Sequence, residues 1–206
     1  MLGYKTDQED FWAGKFGDDY IARNDDSRIL AGNMRLFSSI LRPAVGIESI
    51  LELGCNIGLN LEAVRFVDPS IKLTGVEINA KAAEAARAKN IAQIEQGSIL
   101  EPLDLAPADL TFTKTVLIHI NPDHLHAVYE NLVRLSNRYV LVVEYYNPSP
   151  VTVTYRGNEE RLFKRDFAGE LMEEYGLQLV DYGFSYHRDK HFPQDDMTWF
   201  LMEKQG

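Results

Sequence analysis

Two acids 25 residues apart, Glu52 and Glu77, carry most of the chemical information in this chain of 206 residues. Each lies in a short apolar run, Ile50-Leu51-Glu52-Leu53 and Val76-Glu77-Ile78, and is expected near the carboxyl end of a buried strand. Glu52 leads directly into Gly54-Cys55-Asn56-Ile57-Gly58-Leu59-Asn60, a glycine-bearing turn that resumes as a pattern able to start a helix. Strand, glycine loop and helix N-terminus are the standard cradle for a nucleotide-like ligand. An acid in that cradle selects among such ligands. At about 4 Å, and at an effective dielectric near 20, a carboxylate repels a phosphate by roughly 4 kcal/mol and attracts an ammonium by a similar amount.

Two ligands compete for this loop. A dinucleotide wants Gly-x-Gly-x-x-Gly so that backbone can approach its pyrophosphate. The spacing here is Gly54-x-x-x-Gly58 with Asn56 between, and Glu52 opposes phosphate, so a nicotinamide-dependent sugar oxidoreductase is the weaker reading. A Tyr-x-x-x-Lys pair, Tyr186 and Lys190, falls in a late loop and reads as chance. S-adenosylmethionine carries an ammonium, a sulfonium and no phosphate. Glu52 suits its amino-acid end, Gly54 and Gly58 let backbone close on it, and Glu77 can accept from both ribose hydroxyls. Ile78 is then expected on the adenine face, and Gly97-Ser98-Ile99 at the adenine edge.

Methyl transfer needs a base only where the accepting atom must lose a proton. His119, just past the fourth strand, is the leading candidate. Glu144 could serve as base or hold a hydroxyl, and Tyr145 and Tyr146 could orient an acceptor; plain packing of His119 is an equal alternative. Lys114, which ends the fourth strand on the same rim, is counted with the cofactor-binding residues. Tyr20 and Arg23 could close over the cofactor with Arg23 facing its carboxylate, or Arg23 could pair with Asp18, Asp19 or Asp25 at the surface. Arg156, Arg161, Lys164 and Arg165 form a basic island that would suit an anionic acceptor, or else a solvated face. His187, Asp189, His191, Asp195 and Asp196 crowd one loop without a zinc spacing, so no metal is expected.

These groups need a scaffold to converge. Ser27–Leu41 shows helical periodicity; after it, strands and helices alternate: Ser49–Leu53, Leu59–Phe66, Lys72–Ile78, Ala80–Lys89, Ile91–Gln96, Asp109–Leu117, Asp123–Leu135 and Tyr139–Tyr145. Arg156-Gly157-Asn158 reads as a hairpin turn, Asp166 caps a helix to Tyr175, and Leu177–His187 pairs with Met197–Lys204. The expected fold is α/β: a doubly wound, mostly parallel, Rossmann-like sheet with a C-terminal antiparallel hairpin. Residues 1–45 read as an N-terminal cap and helix, and 46–206 as the catalytic core of one domain. The aromatics of the first 25 residues either cover the ligand edge or simply pack.

Composition narrows the partners. A net charge of -10 opposes nucleic acid, and a small-molecule substrate is the better default. One cysteine excludes an internal disulfide, no secretory signal is visible, and no apolar run approaches membrane-spanning length. A cytoplasmic setting away from membranes fits; oligomeric state is left open.

With these residues in view, the chain from about Ser49 to Lys204 resembles the class I S-adenosylmethionine-dependent methyltransferases. Glu52-Leu53-Gly54-Cys55-Asn56-Ile57-Gly58 looks like their first motif, Val76-Glu77-Ile78 their second, and Leu117-Ile118-His119-Ile120 their segment after strand four. Asn56 departs from the usual glycine, which bears on the geometry of the loop. The stretches Phe11–Tyr20 with Arg23-Asn24, Glu144–Pro148, Arg161–Phe167 and Phe192–Asp196 further resemble the pseudaminic-acid-biosynthesis-associated methylases. That resemblance implies a sugar-type acceptor in surface-glycan biosynthesis. A silent S-adenosylmethionine-binding regulator is the non-enzymatic alternative.

Overall fold

The computed structural model describes residues 4–21, 27–155 and 158–205, with only the backbone of 155 and 158–161. Strands β1 (Ser49–Leu53), β2 (Lys72–Glu77), β3 (Gln93–Gln96), β4 (Ala108–Lys114) and β5 (Ser136–Glu144) pair in parallel in the order β3-β2-β1-β4-β5. Strands β8 (Gln178–Ser185) and β9 (Met197–Glu203) extend the sheet as β5-β9-β8, antiparallel at both junctions. This is the expected sheet with its closing hairpin. A second hairpin, β6 (Val151–Tyr155) and β7 (Asn158–Lys164), forms a separate two-stranded sheet. Arg156 and Gly157 of its expected turn lie outside the described residues.

The parallel strands read as unbroken apolar runs because both faces are covered. On one face, Leu36, Phe37 and Ile40 of α3 (Ser27–Leu41), Leu61 and Val64 of α4 (Leu59–Val67) and Ala83 and Ala86 of α5 (Ala80–Ala88) meet Phe112, Leu141 and Trp199. On the other, Val128 and Leu132 of α6 (Leu125–Arg134) and Phe167 and Leu171 of α7 (Phe167–Tyr175) meet Leu51, Leu53, Val140 and Val142. The strand order reverses at β1, so the crevice between the carboxyl ends of β1 and β4 is where this topology opens a ligand site.

Three expectations need correction. Strand four does not run to Leu117: Thr115 takes a left-handed conformation (φ 55°), which ends β4 at Lys114 and starts a 3-10 turn over Leu117–His119. The helix expected from Asp123 opens with a 3-10 turn over Pro122–His124, whose Asn121 side chain accepts from the Asp123 amide, and α6 proper starts at Leu125. The aromatic N-terminal stretch, without clean periodicity in sequence, contains two seven-residue helices, α1 (Asp7–Ala13) and α2 (Lys15–Ile21). Thr6 and Glu9 form a capping box that starts α1 despite its shortness.

Candidate functional site

The glycine loop is held by backbone before any side chain acts. The amides of Gly54 and Cys55 both donate to the Val76 carbonyl, at 2.9 and 3.0 Å, so β1 and β2 splay only beyond that point. Gly54 (φ 80°) and Asn56 (φ 48°) are left-handed, and a Cβ on Gly54 would meet Val116 Cγ2 at 2.6 Å. Asn56 tolerates the conformation because its own Oδ1 accepts from the Ile57 amide at 2.7 Å. The missing glycine thus costs little. A short polar side chain supplies the turn instead.

Glu77 ties two loops together. Its Oε2 accepts from the Asn56 amide (2.7 Å) and its Oε1 from the Asn79 amide (2.8 Å). Burial pushes its pKa up, and these amide bonds oppose the shift. Each oxygen keeps lone-pair capacity for a further donor. Glu52 lies one layer deeper, fully buried, and does not itself wall the cavity. Its Oε1 accepts from Asn60 Nδ2 at 2.6 Å, while Glu52 Oε2 and Asn60 Oδ1 have no partner among the described residues. Burial raises the Glu52 pKa to about 8, against the Asn60 bond and the charge of Lys114. Two adjacent unfilled acceptors behind a glycine loop suit a donor with several N–H groups, so the fit is to an ammonium.

The cap covers this crevice. Asn79 is its anchor: Oδ1 caps α5 through the Ala82 amide (3.0 Å), while Nδ2 donates to Trp12 O (3.2 Å), Ala13 O (3.3 Å) and Asp18 Oδ1 (3.0 Å). Lys81 pairs with Asp18 at 2.5 Å. Gly17 lies so close that a Cβ there would meet Trp12 O at 1.8 Å. Ser98 donates to Glu9 at the far side, fastening α1 to the loop after β3. Of the two N-terminal alternatives, the aromatics both pack and cover: Trp12 sits 5.3 Å from Tyr20 and 4.7 Å from the His119 ring.

The cavity beneath the cap, of about 180 Å³, is walled by Tyr20, Gly54, Asn56, Glu77, Ile78, Gly97, Ser98, Ile99, Lys114 and His119 among the residues singled out in sequence. Gly58 shapes the loop (φ 76°) from behind. Arg23 lies outside the described residues. Glu144 and Tyr145 do not line the cavity. Glu144, fully buried, accepts from the Val116 and Leu117 amides at 2.8 and 2.9 Å and so braces the 3-10 turn that carries His119. Burial lifts its pKa to about 8, against those amide bonds. Tyr145 donates to Asp195 at 2.6 Å, and burial together with that carboxylate holds its hydroxyl protonated. In the basic island, Arg165 pairs with Glu170 at 2.5 Å and Lys164 lies over the Tyr145 ring. Sequence reading passed over Asn33 and Asn60 as wall residues; the place of Asn60, second residue of α4 just behind the glycine loop, was the available signal. Among the described residues no His, Cys, Asp and Glu cluster could hold a metal, and no helix is long and apolar enough to cross a membrane.

Comparison with known proteins decides which ligand class this cradle belongs to. Residues 51–138, from β1 through the 3-10 turn to the start of β5, match the family model of the methyltransferase domain. The chain carries a methyltransferase domain. Its fold is that of the class I S-adenosylmethionine-dependent enzymes. Magnesium protoporphyrin IX methyltransferase from Synechocystis PCC 6803, crystallised with S-adenosylhomocysteine, superposes with a TM-score of 0.70 at 14% identity, over 97% of this chain and all of that one. The 1,6-didemethyltoxoflavin-N1-methyltransferase of Burkholderia thailandensis superposes at 0.69 and 15% identity, over 97% of this chain and 87% of that one. Mitomycin 7-O-methyltransferase gives 0.69 at 15%, over 97% and 61%. No curated protein sequence matches the chain. A porphyrin, a toxoflavin precursor and a mitomycin are unrelated acceptors, so the shared fold of this methyltransferase speaks for the donor side and leaves the acceptor to local geometry.

Proposed function

We propose that this methyltransferase moves the methyl group of S-adenosylmethionine to a small polar acceptor, a sugar-type hydroxyl of surface-glycan biosynthesis. The observation that carries the donor side is the pair of unfilled acceptors, Glu52 Oε2 and Asn60 Oδ1, set behind the glycine loop and opposite Glu77. Glu77 and Asn60 would hold the ribose and ammonium ends, Ile78 and Ile99 the adenine. The cofactor supplies an electrophilic carbon activated by a sulfonium. Most of what the protein must add is position and dryness. The cap provides both, since α1 and α2 close the crevice through Asn79 and Ser98.

His119 is the residue placed to take a proton from an acceptor hydroxyl. It walls the cavity from the turn after β4, and the Glu144 carboxylate fixes that turn through the Val116 and Leu117 amides. Glu144 is accordingly a positioning residue in this reading. The sugar assignment is supported by the resemblance of Phe11–Tyr20 and Phe192–Asp196 to the pseudaminic-acid-associated methylases, and by the amides of Asn33 and Asn60 and the hydroxyls of Tyr20 and Thr115 on a largely apolar cavity wall. A cytoplasmic enzyme acting on a soluble precursor agrees with the acidic composition.

Calorimetry tests the donor: S-adenosylmethionine and S-adenosylhomocysteine should bind, and NAD(P) should not. A cell extract incubated with methyl-labelled cofactor tests the acceptor, with label expected in a sugar fraction. Label appearing only in porphyrin, lipid or protein fractions would refute the sugar reading while leaving methyl transfer intact. His119→Ala should lower the rate while leaving cofactor affinity within about twofold.

A further inference from the structure

The cofactor reading leaves one side of the cavity unassigned. Ser98 and Ile99 follow β3, Glu77 ends β2 and the glycine loop follows β1, so a ligand laid across those three strands occupies one side of the opening. The other side lies over the end of β4. Lys114, Thr115 and His119 wall it, with Ile29 and Asn33 from α3 and Tyr20 from α2. Lys114 is the one lysine or arginine among the described wall residues.

Its ammonium makes no hydrogen bond or ion pair with any described residue. Burial pushes the Lys114 pKa down, and the acids that oppose that shift, Glu52, Asp195 and Glu144, act at a distance, each with one carboxylate oxygen already engaged. Glu52 accepts from Asn60, Asp195 from the Tyr145 hydroxyl, and Glu144 from two backbone amides. Asn33 is fixed too, its Oδ1 taking the Gln194 amide at 2.7 Å. The wall is therefore preorganised around a cation without a counter-ion. An acceptor entering here completes the burial of the ammonium, and a desolvated charge is unfavourable unless paired. An acceptor that brings its own anion supplies the missing partner.

We propose that Lys114 is the specificity-determining residue for the acceptor, pairing with a carboxylate or phosphate group on it, set apart from the atom that receives the methyl. The proposal rests on the methyl-transfer reading. The competing partner for this ammonium is the carboxylate of the cofactor itself.

S-adenosylhomocysteine complexes of the wild type, Lys114→Met and Lys114→Arg separate the two. Each is titrated with a hexuronic acid, a hexose phosphate and the neutral parent hexose, followed by ligand-observed NMR and calorimetry. Lys114→Met removes a desolvated charge while keeping an apolar stem, so it should melt no lower than the wild type. The wild type should bind at least one anionic sugar about tenfold or more tighter than its neutral parent, and the stronger of the two identifies carboxylate or phosphate. That preference should vanish in Lys114→Met and survive in part in Lys114→Arg, with S-adenosylhomocysteine affinity within about twofold throughout. A tenfold or greater loss of S-adenosylhomocysteine affinity in Lys114→Met assigns the lysine to the cofactor and overturns the proposal. Absence of any anionic preference in the wild type, or its persistence in Lys114→Met, overturns it equally. Failure of S-adenosylhomocysteine to bind the wild type removes the methyl-transfer reading and this proposal with it.

Discussion

Raising the pH from about 6 to about 8 is expected to tighten S-adenosylmethionine binding by roughly 25-fold, through Glu52. In the free protein burial holds the Glu52 pKa at about 8, so the carboxyl is mostly protonated at neutral pH. The ammonium of the ligand would sit beyond Asn60, about 6 Å from the carboxylate. At an effective dielectric near 20 that attraction is roughly 2.8 kcal/mol, or about two pKa units. Binding therefore lowers the Glu52 pKa and releases a proton. Affinity rises with pH between the bound-state and free-state values, and levels off above about 8. Calorimetry near pH 7 in two buffers of different ionisation enthalpy should count about 0.8 proton released per cofactor bound. Glu52→Gln, which keeps an acceptor for Asn60 and cannot ionise, should bind with no slope and no proton release. A flat affinity in the wild type, or an equal slope in Glu52→Gln, would sink the argument that this acid reads the ammonium.

The same groups set the stability of the protein without cofactor. Glu52 and Glu144 both have folded-state values raised to about 8, so the stability they contribute is fully present below their ordinary range near 4.5 and is lost as pH rises through about 8. The melting temperature of the cofactor-free protein should accordingly fall from about pH 5.5 to about pH 8.5, more in the wild type than in a Glu52→Gln, Glu144→Gln double variant. Asn79→Ala removes the α5 cap and the bonds to Trp12, Ala13 and Asp18 together; a loss of about 1–2 kcal/mol in denaturant unfolding, with faster amide exchange in residues 7–21, is expected. Unchanged exchange in the cap would show that Asn79 does not hold it. Glu144→Gln keeps an oxygen for the Val116 and Leu117 amides and should retain most activity, whereas Glu144→Ala strands both amides and should lower kcat at least about tenfold. Equal loss in both would point instead to a direct chemical role for the carboxylate.

The sequence alone determined the sheet and the donor loop, for local reasons. Continuous apolar runs broken by Gly, Asn and Pro specify buried parallel strands, and the five βα units with a closing hairpin follow from their order. Glu52, Gly54, Gly58 and Glu77 stood out because an acid beside a glycine loop disfavours phosphate when ionised, and only the fold sets how readily Glu52 ionises. Tertiary structure decided what those residues touch. Glu52 proved to stand one layer behind the wall, with Asn60 between, because the left-handed turn at Gly54 and Asn56 swings the start of α4 across the strand end. Glu144 ends β5 and Tyr145 follows it, and the two side chains part: one braces the His119 turn and the other meets Asp195. Neither reaches the cavity. The cap was invisible to periodicity because two seven-residue helices gain their stability from Asn79 and Ser98, contacts 60 or more residues away. In sequence Lys114 counted with the residues expected around the cofactor. Only the fold shows a cation left without a partner at the end of the cavity where an acceptor must enter.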